Sequence, residues 1–219
     1  LENGDRLSRA EFERRYEAMP NVKKAELIEG VVYLPSPTRW RSHGLSRQAM
    51  SGWLWIYANA TPGVAGGSNT TLRLPLDNEP QPDAFLCVLP ENGGQVQEDA
   101  DAFVISAPDL VAEVSASSVS YDLGPKLRLY QRIGVREYVV WRVFDQTFDW
   151  FVLHEGQFKP LPRDTDGVCR CKAFPGLWLA VDAMVAGNGS RVEQLLRQGL
   201  TSPEHAAFVA QLQQTPPRT

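Results

Sequence analysis

The strand-like run "LVAEVS", Leu110–Ser115, constrains the fold most, because a carboxylate interrupts an otherwise apolar segment. Side chains alternate faces along a strand. Leu110, Ala112 and Val114 therefore share one face, and Val111, Glu113 and Ser115 the other. A strand this apolar belongs inside a sheet covered on both sides. An unpaired carboxylate there costs several kcal/mol or takes up a proton. Glu113 thus requires a cation, a metal ion or an escape at the strand end. Asp83 poses the same problem, since it opens the apolar run Ala84–Leu89 directly after Pro82. If the two strands are neighbours, both carboxylates can face one cleft. They would repel there unless a divalent cation lay between them, and hard oxygen ligands suit Mg²⁺ or Mn²⁺.

Lys126 supplies a third charge. Pro125 suits the first turn of a helix running to Ile133, with Gly134 as its C-terminal stop. A cation in a first helical turn opposes the helix dipole, so Lys126 calls for a partner. The plainer readings stay open at this level: a surface lysine, and solvated acids at strand ends.

The remaining pattern is mixed. "SRAEFERRYEAM" reads as a helix with Ser8 as N-cap and Glu11 completing a capping box. "AELIEGVVYLPSP" reads as a hairpin turning at Glu29-Gly30 and ended by Pro35-Ser36-Pro37. Residues from about Arg41 to Ala58 form an amphipathic helix, "VAGGSNTTLRLPL" a strand, and "QPDAFLCVL" a second strand. "REYVVWRV" is a buried strand, "TFDWFVLH" and "GQFKPL" a hairpin through Glu155-Gly156, and "GLWLAVDAM" a short strand or helix entry. From Ser190 the chain is a polar helical tail, expected to be peripheral. This order favours an α/β (α+β) fold, a mixed β-sheet flanked by helices, with a domain over residues 1–187 and a helical tail over 188–219.

A chain of 219 residues with 43% hydrophobic residues holds a sizeable core. A net charge of −4 recruits no polyanion globally, so nucleic acid would need a local basic surface. Arg6–Lys24 and Arg39-Trp40-Arg41 are the two candidates, and each also reads as a solvated face. Cys87, Cys169 and Cys171 form no disulfide framework, and Cys169-Arg-Cys171 is too closely spaced for the usual zinc pair. A reducing cytoplasm fits, and neither a membrane span nor a signal peptide is expected.

The ordered set "AELIEGVVYLPSP", His43, "PDAFL", "PDLVAEVSASS" and "YDLGPKLRLYQRIGVREYVVW" resembles the motifs of the Uma-two family of prokaryotic endonucleases. That family lies in the PD-(D/E)XK, restriction-endonuclease-like superfamily. The resemblance spans roughly Glu11 to Val181. It implies a restriction-endonuclease-like fold and a Mg²⁺-dependent endonuclease acting on nucleic acid, with DNA expected. Asp83 matches the PD aspartate and Glu113 the second acid, both as metal ligands, with the Val114 carbonyl as a further one. Glu26 matches an acid ahead of the hairpin turn that could complete the metal shell, against a plain pairing with Lys24. The superfamily's lysine two residues after the Glu is Ser115 here. Within the Uma-two group the lysine stands on the following helix, and Lys126 matches that place. His43 matches a recurrent histidine, against a plain helix-start residue. Asp122 reads as a turn or capping residue, and Tyr130 as a packed residue beside Lys126.

Two rival readings accompany the nuclease. One is a catalytically degenerate nucleic-acid or protein interaction module, favoured by Ser115 and the acidic charge. The other is structural, with Glu113 in a buried ion pair with Lys126 or Arg128. Such proteins often form homodimers. Adjacent Trp150 and Phe151 mark either a subunit interface or a two-sided core.

Overall fold

The computed structural model describes residues 1–35 and 39–217. Its centre is a six-stranded mixed sheet in the order β3-β4-β5-β6-β7-β8. These strands are β3 (Val64–Gly67), β4 (Ala84–Val88), β5 (Leu110–Ser115), β6 (Glu137–Arg142), β7 (Thr147–His154) and β8 (Gln157–Pro160). Only β5 and β6 run parallel; their connection carries the helix that bears Lys126. All other neighbours are antiparallel.

Both faces of the sheet are covered, as the apolar β5 requires. On one face Leu110, Ala112 and Val114 join Ala84, Leu86 and Val88 in the larger core. The helix α2 (Leu45–Ala60) closes it with Met50, Trp53, Leu54 and Tyr57, three or four residues apart. On the other face Val111, Phe85, Cys87, Tyr138 and Val140 pack with Leu129 and Tyr130. Trp150 lies in the first core and Phe151 against the second, so this adjacent pair is a two-sided core.

The first hairpin forms as the sequence suggests, from β1 (Glu26–Ile28) and β2 (Val31–Tyr33). Its turn needs positive φ at both central residues, and Glu29 and Gly30 adopt 52° and 74°. The Ser36-Pro37 stretch expected to end it lies outside the described residues. The helix α1 (Arg9–Glu17) has half a capping box. Ser8 accepts from the Glu11 N–H, but the Glu11 carboxylate turns to Arg14 and Arg15 at 2.7 Å each. The expected strand after Val64 ends at Gly67. Beyond it Leu72 and Leu74 stay buried but pair only through isolated bridges.

Two further segments differ from expectation. The lysine helix does not begin at Pro125. It begins as a short turn of helix, α3 (Val119–Tyr121), passes through a π-helical turn at Asp122–Lys126 and continues as α4 (Leu127–Ile133). Pro125 therefore sits inside a helix, where it lacks an N–H and its ring crowds the carbonyl four residues back. A widened π turn accommodates both defects. Gly134 ends α4 at φ 87°, as expected.

The polar tail is not peripheral. Beyond β9 (Val168–Arg170), β10 (Trp178–Ala180) and α5 (Val181–Val185) come α6 (Gly189–Leu200) and α7 (Pro203–Gln214). Val192, Leu196 and Leu212 from these last helices enter the larger core. A Cβ on Gly199 would stand 2.1 Å from the Gly176 carbonyl oxygen, so α6 docks through a glycine contact. Gly199→Ala should therefore cost about 3 kcal/mol of stability by forcing α6 off β10, measurable by denaturant unfolding.

Candidate functional site

The last paired residues of β4 and β5 are Ala84 and Ala112. One step further, Asp83 faces Glu113, and both side chains lie on the same face, because Phe85 and Val111 share it. Main-chain pairing stops here and the carboxylates take over its donors. Asp83 Oδ2 accepts from the Val114 N–H at 2.8 Å. Glu113 Oε2 accepts from the Asp83 N–H at 3.3 Å. In a strand the N–H and C=O of one residue point the same way, so the Val114 carbonyl also faces the Asp83 side.

Lys126 lies at the centre. Its Nζ is 3.0 Å from Glu113 Oε1, 3.0 Å from Glu26 Oε1 and 3.5 Å from Asp122 Oδ1. Lys126 is 5% exposed, and its three acidic partners are buried with it. Lys126 is thus no surface lysine, and its position four residues after Asp122 within the π turn brings the two together. The dipole conflict expected at a helix start does not arise, because α3 and the π turn precede it. Arg128, the other sequence candidate for Glu113, pairs with Glu29 instead.

Glu26 arrives because β1 bridges the segment leading into β4, Leu27 against Glu79. It accepts from the Gln81 N–H at 2.6 Å. The simple Glu26–Lys24 pair does not form; Lys24 Nζ donates to the Gln81 carbonyl at 2.8 Å. Asp122 is not a plain turn residue. It is buried, accepts from the hydroxyls of Ser115 and Ser118, and belongs to the Lys126 cluster. Ser115 thus holds Asp122 beside Lys126. Tyr130 does more than pack: its hydroxyl donates to Glu113 Oε1 at 3.3 Å.

Glu113 and Glu26, which share Lys126, shift in opposite directions. Burial pushes the Glu113 carboxyl up, and Asp122, Asp83 and Glu26 add to this, so that despite Lys126 it reaches about 8. Burial also opposes charge on Glu26, but Lys126, Lys24 and the Gln81 N–H together hold it below its ordinary value. Burial disfavours the Lys126 ammonium, yet Glu113, Glu26 and Asp122 outweigh it and keep the group charged well beyond neutrality.

Two residues of the helical approach complete the site. His43 stands in the π-helical turn Trp40–Gly44 that leads into α2. It is half-buried and lines the cleft, and burial, reinforced by Arg47 and Lys24, lowers its pKa. Arg47, one turn later, sits 2.9 Å from Asp83 Oδ1. Sequence reading missed Arg47; its only signal was its place four residues after His43, on the same helix face. The cleft over these groups measures about 1000 Å³, and Arg39 also lines it.

Among the described residues no three or more His, Cys, Asp or Glu side chains stand ready-grouped for a metal ion. The site's oxygens turn to Arg47 and Lys126 instead. The donor chemistry nevertheless suits a hard cation, with three carboxylates around the Lys126 ammonium and Asp83 beside them on Arg47. The three cysteines are free and buried apart from this site, and burial pushes Cys87 and Cys169 up to about 12 and 11. No helix among the described residues is long and apolar enough to cross a membrane.

The raised Glu113 carboxyl fixes a sign. In the cation-free protein the folded state holds this proton more tightly than the unfolded chain. Its contribution to stability is thus full below about pH 4.5 and is lost as pH rises through about 8. Lys126→Met removes the shared cation and should enlarge that loss. We expect a destabilisation of about 3–5 kcal/mol at pH 8 that shrinks on acidification, measured by urea unfolding across pH.

A search of curated proteins found no match. Solved structures do match; one is "a putative nuclease belonging to DUF820 from Anabaena variabilis ATCC 29413". It is similar over 82% of this chain and 99% of its own, with a TM-score of 0.61 and 12% identity, a likeness of fold. The sequence profile of one family matches residues 9–182, including every acid of the cluster and Lys126. The chain therefore belongs to the Uma2 family, described as "Putative restriction endonuclease".

Proposed function

We propose that this protein is a metal-dependent nuclease that hydrolyses phosphodiester bonds, with DNA as its substrate and Mg²⁺ or Mn²⁺ as its cation. The observation that carries this reading is the convergence of Glu113, Glu26 and Asp122 on a single ammonium at the floor of a large cleft, with Asp83 facing Glu113 beside them and paired with Arg47. The four acids outnumber the two cations they contact, Lys126 and Arg47, and leave negative charge that a divalent cation would neutralise. Asp83 and Glu113 would hold it, with the Val114 carbonyl and Glu26 completing the shell. Such a cation lowers the pKa of a bound water and stabilises charge developing on the phosphate.

The chain's own groups have separable tasks. Lys126 stays protonated among its acids, so it acts as a fixed donor that positions water and offsets developing negative charge. It is not the base. Tyr130 and Asp122 fix the geometry of Glu113 and Lys126 from either side. Arg47 holds Asp83 in place, and would be able to face a phosphate if a cation took over that carboxylate. His43, its pKa lowered, is neutral at physiological pH and can bind a ligand oxygen through a ring N–H.

A second reading has one specific observation behind it. The Arg47–Asp83 ion pair occupies an oxygen that a metal ion would need. In an interaction module that pair would be permanent, and nucleic acid would bind without cleavage.

The two readings separate on purified protein. For the nuclease, Mn²⁺ binding is detectable by calorimetry, and Asp83→Ala or Glu113→Gln lowers cleavage at least about 100-fold. Lys126→Met should lower kcat by a similar factor while Mn²⁺ binding persists. Absence of Mn²⁺ uptake, together with an Asp83→Ala protein as active as wild type, removes the nuclease reading.

A further inference from the structure

The cleft lining combines two unlike sets of side chains above the acids. Lys24, Arg39 and Arg47 are cationic; Tyr33, Tyr121 and Phe144 are aromatic. Tyr33 ends β2, Tyr121 ends α3, and Phe144 follows β6, so three separate elements bring rings to one opening. Tyr33 and Tyr121 lie 4.6 Å apart at 59°. Tyr121 is 40% and Phe144 64% exposed. Exposed rings are unremarkable when scattered, but here they gather at the mouth of a charged cleft.

Arg47 provides an independent observation. Its Nε faces Asp83, while its Nη2 is shut off from solvent and has no hydrogen-bond partner among the described residues. A buried guanidinium donor left unpaired is costly, and a phosphate oxygen is its natural acceptor. The acids themselves lie deep, with Glu113 at 3% and Asp83 at 5% exposure. A phosphate must descend to reach them.

Resting on the nuclease reading of this cleft, we infer that it takes an unpaired nucleic-acid strand rather than an intact duplex. Lys24, Arg39 and Arg47 hold its phosphates, and Tyr121 and Phe144 stack on its bases. An aromatic ring can stack only on a base whose face is open, and in a duplex neighbouring pairs cover both faces. Base–aromatic stacking is sequence-tolerant and combines with a cationic track in proteins that bind single strands. A flexible strand can also enter a cleft of about 1000 Å³ that a rigid duplex would only span. Lys126, Lys24 and Arg47 offset the repulsion between its phosphates and the acids below.

The test is binding, measured by fluorescence anisotropy. A labelled oligothymidylate is compared with a blunt hairpin duplex of equal phosphate number, using wild type in EDTA and Glu113→Gln in Mg²⁺. A preference of about tenfold or more for the strand in either buffer supports the inference. Tyr121→Ala and Phe144→Ala, both surface changes checked by thermal melting, should each weaken strand binding roughly 5–100-fold and leave duplex binding unchanged. Arg39→Gln should reduce the salt slope by about 0.7. An oligouridylate identifies the preferred sugar, and preference for either unpaired strand counts in favour. Equal or tighter duplex binding, no binding of any probe, or strand binding untouched by both aromatic changes overturns it. So does sedimentation showing these rings buried between two copies of the chain. Strand preference without cleavage removes the nuclease reading alone, whereas cleavage of duplex but not strand removes this inference alone.

Discussion

The buried ammonium of Lys126 is the charge on which the site depends. Glu113, Glu26 and Asp122 come from a central strand, a peripheral hairpin and a π-helical turn, and all three meet at its Nζ. Without it these elements would bring only like charges together in a place with little water. Burying an ion pair need not stabilise a fold, since desolvation opposes the attraction. Its value here is specificity: the lysine fixes where each acid points, and so ties the β1–β2 hairpin and the α3–α4 segment to the end of β5.

The sheet supplies the second constraint. β4 and β5 part just where Asp83 and Glu113 stand, so two backbone N–H groups lose their ladder partners. The two carboxylates accept from them instead. This explains how acids can occupy an apolar strand at all. They sit at the margin of the ladder, where an acceptor is needed and the cleft begins. The parallel pairing of β5 with β6 then requires a crossover, and that crossover delivers Lys126 above the same strand end.

Membership of the Uma2 family and the fold likeness to a solved neighbour agree with this architecture. The position two residues after Glu113 carries a serine whose hydroxyl holds Asp122, and Asp122 in turn faces Lys126. The cation of the cluster comes from a helix, and a hydrogen-bonded Ser115–Asp122 pair lies on the strand side of it.

Much of this was legible in the sequence because it depends on local periodicity. Alternation along β5 put Glu113 on a defined face, Glu29-Gly30 set a two-residue turn, and Gly134 ended a helix by its left-handed φ. Other features were not legible. Pro125 looked like a helix start, because nothing local reveals that three earlier residues already coil and that a π turn absorbs the ring. Arg47 and Asp122 looked ordinary, because their roles come from partners 36 and 7 residues away in sequence. The polar tail looked peripheral, because its many polar residues outnumber the short buried stripe Val192, Leu195, Leu196 and Gly199, and nothing local says what that stripe packs against. The sequence by itself determined which side chains are acidic, which segments are strands and which face each acid takes, since strand geometry repeats every two residues. Only the tertiary structure decided which charges meet, because pairing over long separations is set by how strands and helices pack, and no local pattern encodes that.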